Sequence, residues 1–272
     1  MTENHDFQAA PLDQGRLAEE LPSLNGPWTA VQVVAQTGST NADLLEWAER
    51  GLAEGAILAA EEQTAGRGRL GRSWATPPGA ALAFSILLRP DAIPPAKRGW
   101  LPLIAGIATA TGVRMLTGLD ARLKWPNDVL IGDRKLAGIL AESSGEAVVI
   151  GVGLNVSTVL EDIPTGPGGL PPTSLLAQDR PVDRNVLLIE VLRSFGQWYK
   201  TLIQDPDTER TSLLAQYAKL SATVGREVRV ELPGGQVLGG VAAGIDADGH
   251  LLVEADGGTS SIAAGDVIHV RT

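Results

Sequence analysis

The chain has 272 residues, 44% of them hydrophobic, with a net charge of -10, three histidines and no cysteine. That length suits one large domain with a smaller companion, and the negative charge argues against nucleic acid as the main partner, because neutralising phosphates needs a basic face. The missing cysteines exclude disulfides, thiolate zinc sites and catalysis through an enzyme thioester. His5, His250 and His269 all lie near the termini, which argues against a histidine triad or a histidine metal cluster. No apolar run reaches the roughly 18 residues of a membrane span, and the polar N-terminus lacks a signal-peptide core. A cytoplasmic protein without membrane attachment is the default expectation.

Residues 1 to 27 form a polar extension punctuated by Pro11, Pro22, Gly26 and Pro27, with a short helix expected around Gly15 to Leu21. From Trp28 a strand-like V-Q-V-V-A leads into T-G-S-T-N-A-D-L-L-E-W-A-E-R-G, a helix with Ser39 or Thr40 as its cap, Asp43 in its first turn and Gly51 past its end. A-I-L-A-A-E-E and A-L-A-F-S-I-L-L-R read as buried strands, and residues 97 to 118 as a long helix with Leu103, Ile104, Ile107 and Ala108 on one face. R-L-K-W, V-L-I, K-L-A-G-I-L-A-E and A-V-V-I-G-V-G-L-N-V, joined by P-N-D, G-D-R and S-G-E turns, predict a meander. Pro164 to Pro172 is a loop, and Asn185 to Leu220 is helical apart from a break at Asp205-Pro206-Asp207. After Gly225 short alternating strands and Gly-rich turns suggest a small SH3-like barrel. The expected division is therefore 1–27, a catalytic domain over 28–223, and a barrel over 224–272, in an α+β chain.

The segment between the first two buried strands carries the chemistry. Q-T-A-G-R-G-R-L-G-R-S-W, from Gln63 to Trp74, sets Arg67, Arg69 and Arg72 on a frame of three glycines. Three cations so close repel one another unless an anion joins them. Arginine's planar fork suits carboxylate and phosphate, and glycine permits positive φ and close approach to a ligand. The loop matches G-x-G-x-x-G and nearly matches a P-loop, but both need a helix starting at the last glycine. Pro77 and Pro78 stop any such helix, so neither applies.

Three further motifs accompany this loop: S-T-N at Ser39 to Asn41, K-W-P-N-D-V-L-I-G-D-R-K-L-A-G-I-L from Lys124 to Leu140, and G-V-G-L-N-V ending at Val156. In this order and spacing the chain closely resembles the biotin protein ligases, from about Val31 to the C-terminus. The resemblance implies a mixed-sheet catalytic domain related to class II aminoacyl-tRNA synthetases and an SH3-like C-terminal domain. It implies that biotin's carboxylate attacks the α-phosphate of ATP to form biotinyl-5′-AMP, and that a lysine of a biotin carboxyl carrier domain then takes the biotinyl group. Magnesium is the expected ion.

By that resemblance Arg69 and Lys135 bracket the carboxylate and α-phosphate and are the catalytic pair. Arg67 and Gly68 lie on the biotin side, and Arg72 and Trp74 face the nucleotide, with Trp74 near the adenine. Ser39, Thr40, Asn41 and Gln63 surround the ureido ring, which needs both donors and acceptors. Gly138 clears space on the sheet, and Asn127 and Asn155 contact ATP or the metal shell. A lysine in a G-D-R-K turn is ordinarily a solvated hairpin residue; the buried strand that follows and the family match favour a functional Lys135. Asp128 has two readings, a turn residue and a neighbour of magnesium, and no metal ligand follows from the sequence. The glycines suggest a lid that orders over biotinyl-AMP and shields it from water.

A lipoate ligase is the nearest rival, but G-R-G-R-x-G-R and K-W-P-N-D side with biotin, and an octanoyltransferase would need a cysteine. A biotin-sensing repressor would need a DNA-binding domain where only about thirty polar residues stand. An inactive binding module would not be expected to keep every chemical position. The family includes monomers and dimers, so a monomer or weak homodimer is expected.

Overall fold

A computed structural model describes residues 10–159, 170–204 and 212–270. The expected loop at 164–172 falls mostly outside them, as does the break at 205–207. The strands are β1 (Ala30–Thr37), β2 (Ala56–Gln63), β3 (Ala81–Leu88), β4 (Ala121–Lys124), β5 (Asp128–Ile131), β6 (Arg134–Ser144) and β7 (Ala147–Asn155). They form one seven-stranded sheet in the order β1-β2-β3-β7-β6-β5-β4. β1 and β2 are parallel and every other pair is antiparallel, so the meander expected from the turns is present and the sheet is mixed. Helix α1 (Gln14–Glu20) precedes β1, and helix α2 (Thr40–Glu49) crosses between the two parallel strands.

The sheet is covered on both faces, which explains why β3 is buried along its whole length. On one face α3 (Trp100–Thr117) and α4 (Arg184–Gln204) pack on Phe84, Ile86, Ile150, Val152 and Leu154. On the other, Leu44 and Ala48 of α2 meet Leu58, Leu87 and Val149. α2 is only 10 residues long and its cluster stops at that end of the sheet. What the sheet presents beyond it becomes the site.

The stretch Pro95–Thr117 is apolar and long enough to cross a membrane by length and composition, although the sequence shows no unbroken apolar run of that size. Two-thirds of the qualifying window is buried inside the protein (67%), as expected for the central helix of a large core.

Residues 10 to 24, expected as part of a polar extension, contribute Leu12, Leu17, Leu21 and Leu24 to the core. Their polar groups are tied down as well. The Leu12 N–H donates to Glu61 (2.6 Å), the Asp13 N–H to Asn185 (2.7 Å), and Arg184 donates to the Ala10 carbonyl (2.8 Å) while pairing with Glu61 (2.7 Å). Arg184 is 1% exposed, and these partners replace water at its terminal nitrogens.

After α5 (Ser212–Leu220) come β8 (Glu227–Glu231), β9 (Val237–Ile245), β10 (Leu251–Ala255), β11 (Gly258–Ile262) and β12 (Asp266–His269). They make a separate antiparallel five-stranded sheet in the order β11-β10-β9-β8-β12. The β9–β10 turn is clamped to the large domain: the indole N–H groups of Trp100 and Trp125 donate to the carbonyls of Ala247 (2.9 Å) and Gly249 (3.1 Å). That turn also groups Asp246, Asp248 and His250, whose potential metal-ligand atoms lie within 4.8 Å of one another. Asp246 is already occupied, accepting from Ser261 and from the N–H groups of Asp248 and His250, as a carboxylate does in an ordinary polar turn.

Candidate functional site

A cleft of about 600 Å³ opens beyond the N-terminus of α2, bounded by the sheet, the arginine loop and β12. All fourteen residues singled out in the sequence line it: Ser39, Thr40, Asn41, Gln63, Arg67, Gly68, Arg69, Arg72, Trp74, Asn127, Asp128, Lys135, Gly138 and Asn155.

The floor exists because three strand positions lack side chains. β7 places Val149, Gly151 and Gly153 on the α2 face, and Ile150, Val152 and Leu154 on the core face. Gly153 pairs with Gly138 of β6 and with Ala83 of β3, while Gly151 pairs with Leu140 and Ser85. A Cβ on Gly153 would stand 2.5 Å from the Trp74 ring, and one on Gly151 2.2 Å from Asn41 Oδ1. Gly138 was expected as a space-maker; Gly151 and Gly153, carried by the G-V-G-L-N-V motif, are tighter. Their signal was present as glycine at alternate positions of a buried strand.

At the α2 end the polar residues form a chain. Ser39 occupies the N-cap position, yet neither it nor Thr40 caps the helix with its hydroxyl. Instead Gln63 Oε1 accepts from the Thr40 N–H (2.9 Å) and the Thr40 hydroxyl (3.0 Å). The Thr40 and Ser85 hydroxyls are 2.6 Å apart, Ser85 donates to Asn41 Oδ1 (2.6 Å), and Asn41 Nδ2 donates to Glu142 (2.8 Å). Glu142 pairs with Arg67 at 3.4 Å. Ser85 and Glu142 were not foreseen, because nothing in their local sequence marks them.

The arginine loop is a narrow hairpin, not a phosphate-binding turn ahead of a helix. Arg67 bridges Ser73, the Gly68 N–H donates to the Arg72 carbonyl (2.7 Å), and the Trp74 N–H donates to the Gly66 carbonyl (2.8 Å). Of its glycines only Gly71 has positive φ (72°), and Leu70 at the tip shares that region (φ 56°). Gly66 is needed for space, since a Cβ there would lie 2.3 Å from the Trp74 carbonyl oxygen.

At the opposite end, the K-W-P-N-D turn and β6 organise the charges. Trp125 is buried and its peptide to Pro126 is cis. Asn127 locks onto β6, donating to the Ile139 carbonyl (3.0 Å), and accepts from Arg69 Nη1 (3.2 Å). Lys135 faces the cleft rather than solvent: its Nζ is 2.6 Å from Asp128 Oδ1 and 5.7 Å from the Trp74 ring centroid. Lys124, also unforeseen, lies 3.9 Å from Asp128 Oδ2. Burial pushes the Arg69 guanidinium below its usual range, opposed by Asp266 and then Asp128. Burial likewise pushes the Lys124 ammonium down, against the pull of Asp128. Arg69 and Arg72 both pair with Asp266 of β12, so the C-terminal sheet forms part of the cleft wall.

A cleft with a flat apolar floor, a polar ring at one end and clustered cations at the other defines a binder of an acidic small molecule and a second anion. Comparison with known proteins names the class. Residues 33–155 match the biotin/lipoate A/B protein ligase family and residues 223–270 the biotin protein ligase C terminal domain. A biotin–[acetyl-CoA-carboxylase] ligase of Mycobacterium tuberculosis is 43% identical over 98% of this chain and 99% of its own length. The bifunctional ligase/repressor BirA of Bacillus subtilis is 33% identical over 84% of this chain and 70% of its own. The Aquifex aeolicus biotin protein ligase, solved in complex with biotin and ATP, superimposes with a TM-score of 0.73 at 28% identity, over 89% of this chain and 99% of that one. The chain belongs to the biotin protein ligase family.

Proposed function

We infer that this protein is an ATP-dependent biotin–[acetyl-CoA-carboxylase] ligase that activates biotin as biotinyl-5′-AMP and passes it to a lysine of a biotin carboxyl carrier domain. What supports this most directly is the placement of Arg69, Arg72 and Lys135 at one end of a glycine-floored cleft whose other end is the polar chain from Gln63 to Asn41, with Arg67 joined to that chain through Glu142.

The first step joins two anions. A biotin carboxylate oxygen attacks the α-phosphorus, the bond to the bridging oxygen breaks, and pyrophosphate leaves. Mutual repulsion is the main obstacle, and fixed cations in a partly dry cleft are the remedy. Arg69 and Lys135 are assigned to the carboxylate and α-phosphate, Arg67 to the biotin side, and Arg72 with Trp74 to the nucleotide. Ser39, Thr40, Asn41 and Gln63 hold the ureido ring, which lies where the helix N-terminus and the polar chain supply donors and acceptors together. The valeryl chain runs over the sheet toward the arginines, beside the Trp74 ring that rests on Gly138 and Gly153. In the second step the carrier lysine's amine attacks the acyl carbonyl, and AMP and a proton are released.

Magnesium fits this set of groups. Asn155 Nδ2 donates to Thr173, which leaves the buried Oδ1 without a hydrogen-bond partner among the described residues, and Asp128 adds a carboxylate. When bound with ATP, the ion offsets phosphate charge. Asn127 serves by holding Arg69 against the β6 strand. The enzyme so assigned needs neither operator binding nor a membrane role and is proposed to act in the cytoplasm as a monomer or weak homodimer. Pyrophosphate exchange measured in parallel with biotin, lipoate and octanoate tests the whole reading: exchange with biotin is expected, and exchange with lipoate alone would overturn it.

A further inference from the structure

Each cation of the loop, and Lys135, already faces one of the protein's own carboxylates, with one carboxylate shared between two arginines. Arg67 pairs with Glu142 (3.4 Å), Lys135 with Asp128 (2.6 Å), and Arg72 and Arg69 with Asp266, the latter at 3.8 Å. Glu142 and Asp128 belong to the large sheet that forms the floor. Asp266 does not. It is the first residue of β12, in register with Glu231 of β8, and reaches the loop from the other domain.

Its frame is fixed. Trp100 and Trp125 hold the β9–β10 turn, and the Ala222 N–H donates to the Leu123 carbonyl at 2.7 Å, just ahead of the C-terminal sheet. The neighbouring Gly265 carbonyl accepts a second bond from Arg69 (3.3 Å). The loop, in contrast, is a short glycine-rich hairpin whose tip residue Leu70 is 73% exposed. Two arginines on that loop are thus held by a carboxylate on a rigid neighbour, in the place where an incoming polyphosphate needs them.

We propose that Asp266 is the exchangeable counter-ion of Arg69 and Arg72, so that the C-terminal sheet sets the affinity for ATP by competing with its phosphates. This rests on the assignment of those arginines to the nucleotide. A polyphosphate carries more charge than one carboxylate and offers several oxygens to the arginine forks, so it wins the exchange. The ion pairs with Asp266 are lost when it does. Both pairs are partly exposed, with side-chain accessibilities between 22% and 34%, and each falls in the modest range of such contacts. Removing both shifts an equilibrium about three- to ten-fold.

The test uses the full chain with magnesium and follows pyrophosphate release, with ATP titrated at saturating biotin and biotin titrated at saturating ATP. Asp266→Asn keeps the shape and removes the charge; the KM for ATP is expected to fall about three- to ten-fold, with no fall in the KM for biotin. Asp266→Glu retains the charge and is expected to stay near the wild-type KM for ATP. An unchanged or raised KM for ATP in Asp266→Asn, with Arg72→Ala raising it, overturns the competition and makes Asp266 a fixed support of the arginines. If Arg72→Ala leaves the KM for ATP unchanged, the phosphate assignment itself fails and the inference falls with it.

Discussion

Lys135→Ala separates catalysis from stability, because the two effects differ widely in size. Lys135 is 30% exposed and its partner Asp128 13% exposed, with Nζ to Oδ1 at 2.6 Å. A partly exposed pair of this kind contributes about 1 kcal/mol to folding. In a chain of 272 residues that lowers the melting temperature by only about 2–4 °C. Asp128 also keeps Lys124 as a neighbour 3.9 Å from its Oδ2, so the carboxylate retains a nearby cation after truncation. The rate effect is larger. Removing one preorganised donor from a developing oxyanion costs about a hundred- to a thousand-fold, or roughly 2.7–4 kcal/mol. Pyrophosphate release with biotin and magnesium-ATP should therefore fall by that factor while the melting curve barely moves. Full adenylation by the variant would refute the placement of Lys135 against the reacting groups.

Three further outcomes follow from other parts of the cleft. Gly153→Ala places a methyl 2.5 Å from the Trp74 ring, and overpacking of about 1–3 kcal/mol should displace the ring and raise the KM for biotin or ATP at least several-fold; unchanged kinetics would mean that Trp74 does not rest on the floor. Burial lowers the His269 imidazole to about 4, with Lys124 and Arg226 adding to the shift. Its folded pKa lies below the usual 6.5, so the unfolded chain binds more protons and stability should decline as pH falls from about 6.5 toward 4. His269→Gln should flatten that part of the melting-temperature profile, and an unaltered slope counts against the assignment. Hydrogen exchange over Gly66 to Arg72 should slow when biotinyl-AMP binds, and equal protection with and without it would sink the lid.

Much of the fold was legible because its signals are local. The apolar runs of β2 and β3, the turn residues between the meander strands and the alternation after Gly225 each declare an element within a few residues. The same holds for the motifs: S-T-N, the arginine loop and K-W-P-N-D carry chemistry dense enough to identify on sight, and every residue taken from them lines the cleft. The pattern was less informative about how the polar groups are used. It offered Ser39 or Thr40 as the helix cap; Ser39 does hold the N-cap position, but the side-chain acceptor at the helix start comes from Gln63, at the end of β2.

The amino-acid order by itself determined the identity of the charged and polar groups and the strands and turns that carry them, since propensity, turn chemistry and motif spacing act over short distances. Only the tertiary structure decided which groups meet. Asp266 reaches Arg72 across 194 positions, Ser85 reaches Asn41 across 44, and Leu12 reaches Glu61 across 49. The flat floor likewise needs Gly138 and Gly153 on adjacent strands in one register. Such pairings depend on strand order and on which face of the sheet a residue occupies, and a single-residue slip would reverse the faces. For that reason the cations could be read from the chain, while the carboxylates that hold them had to be seen in the fold.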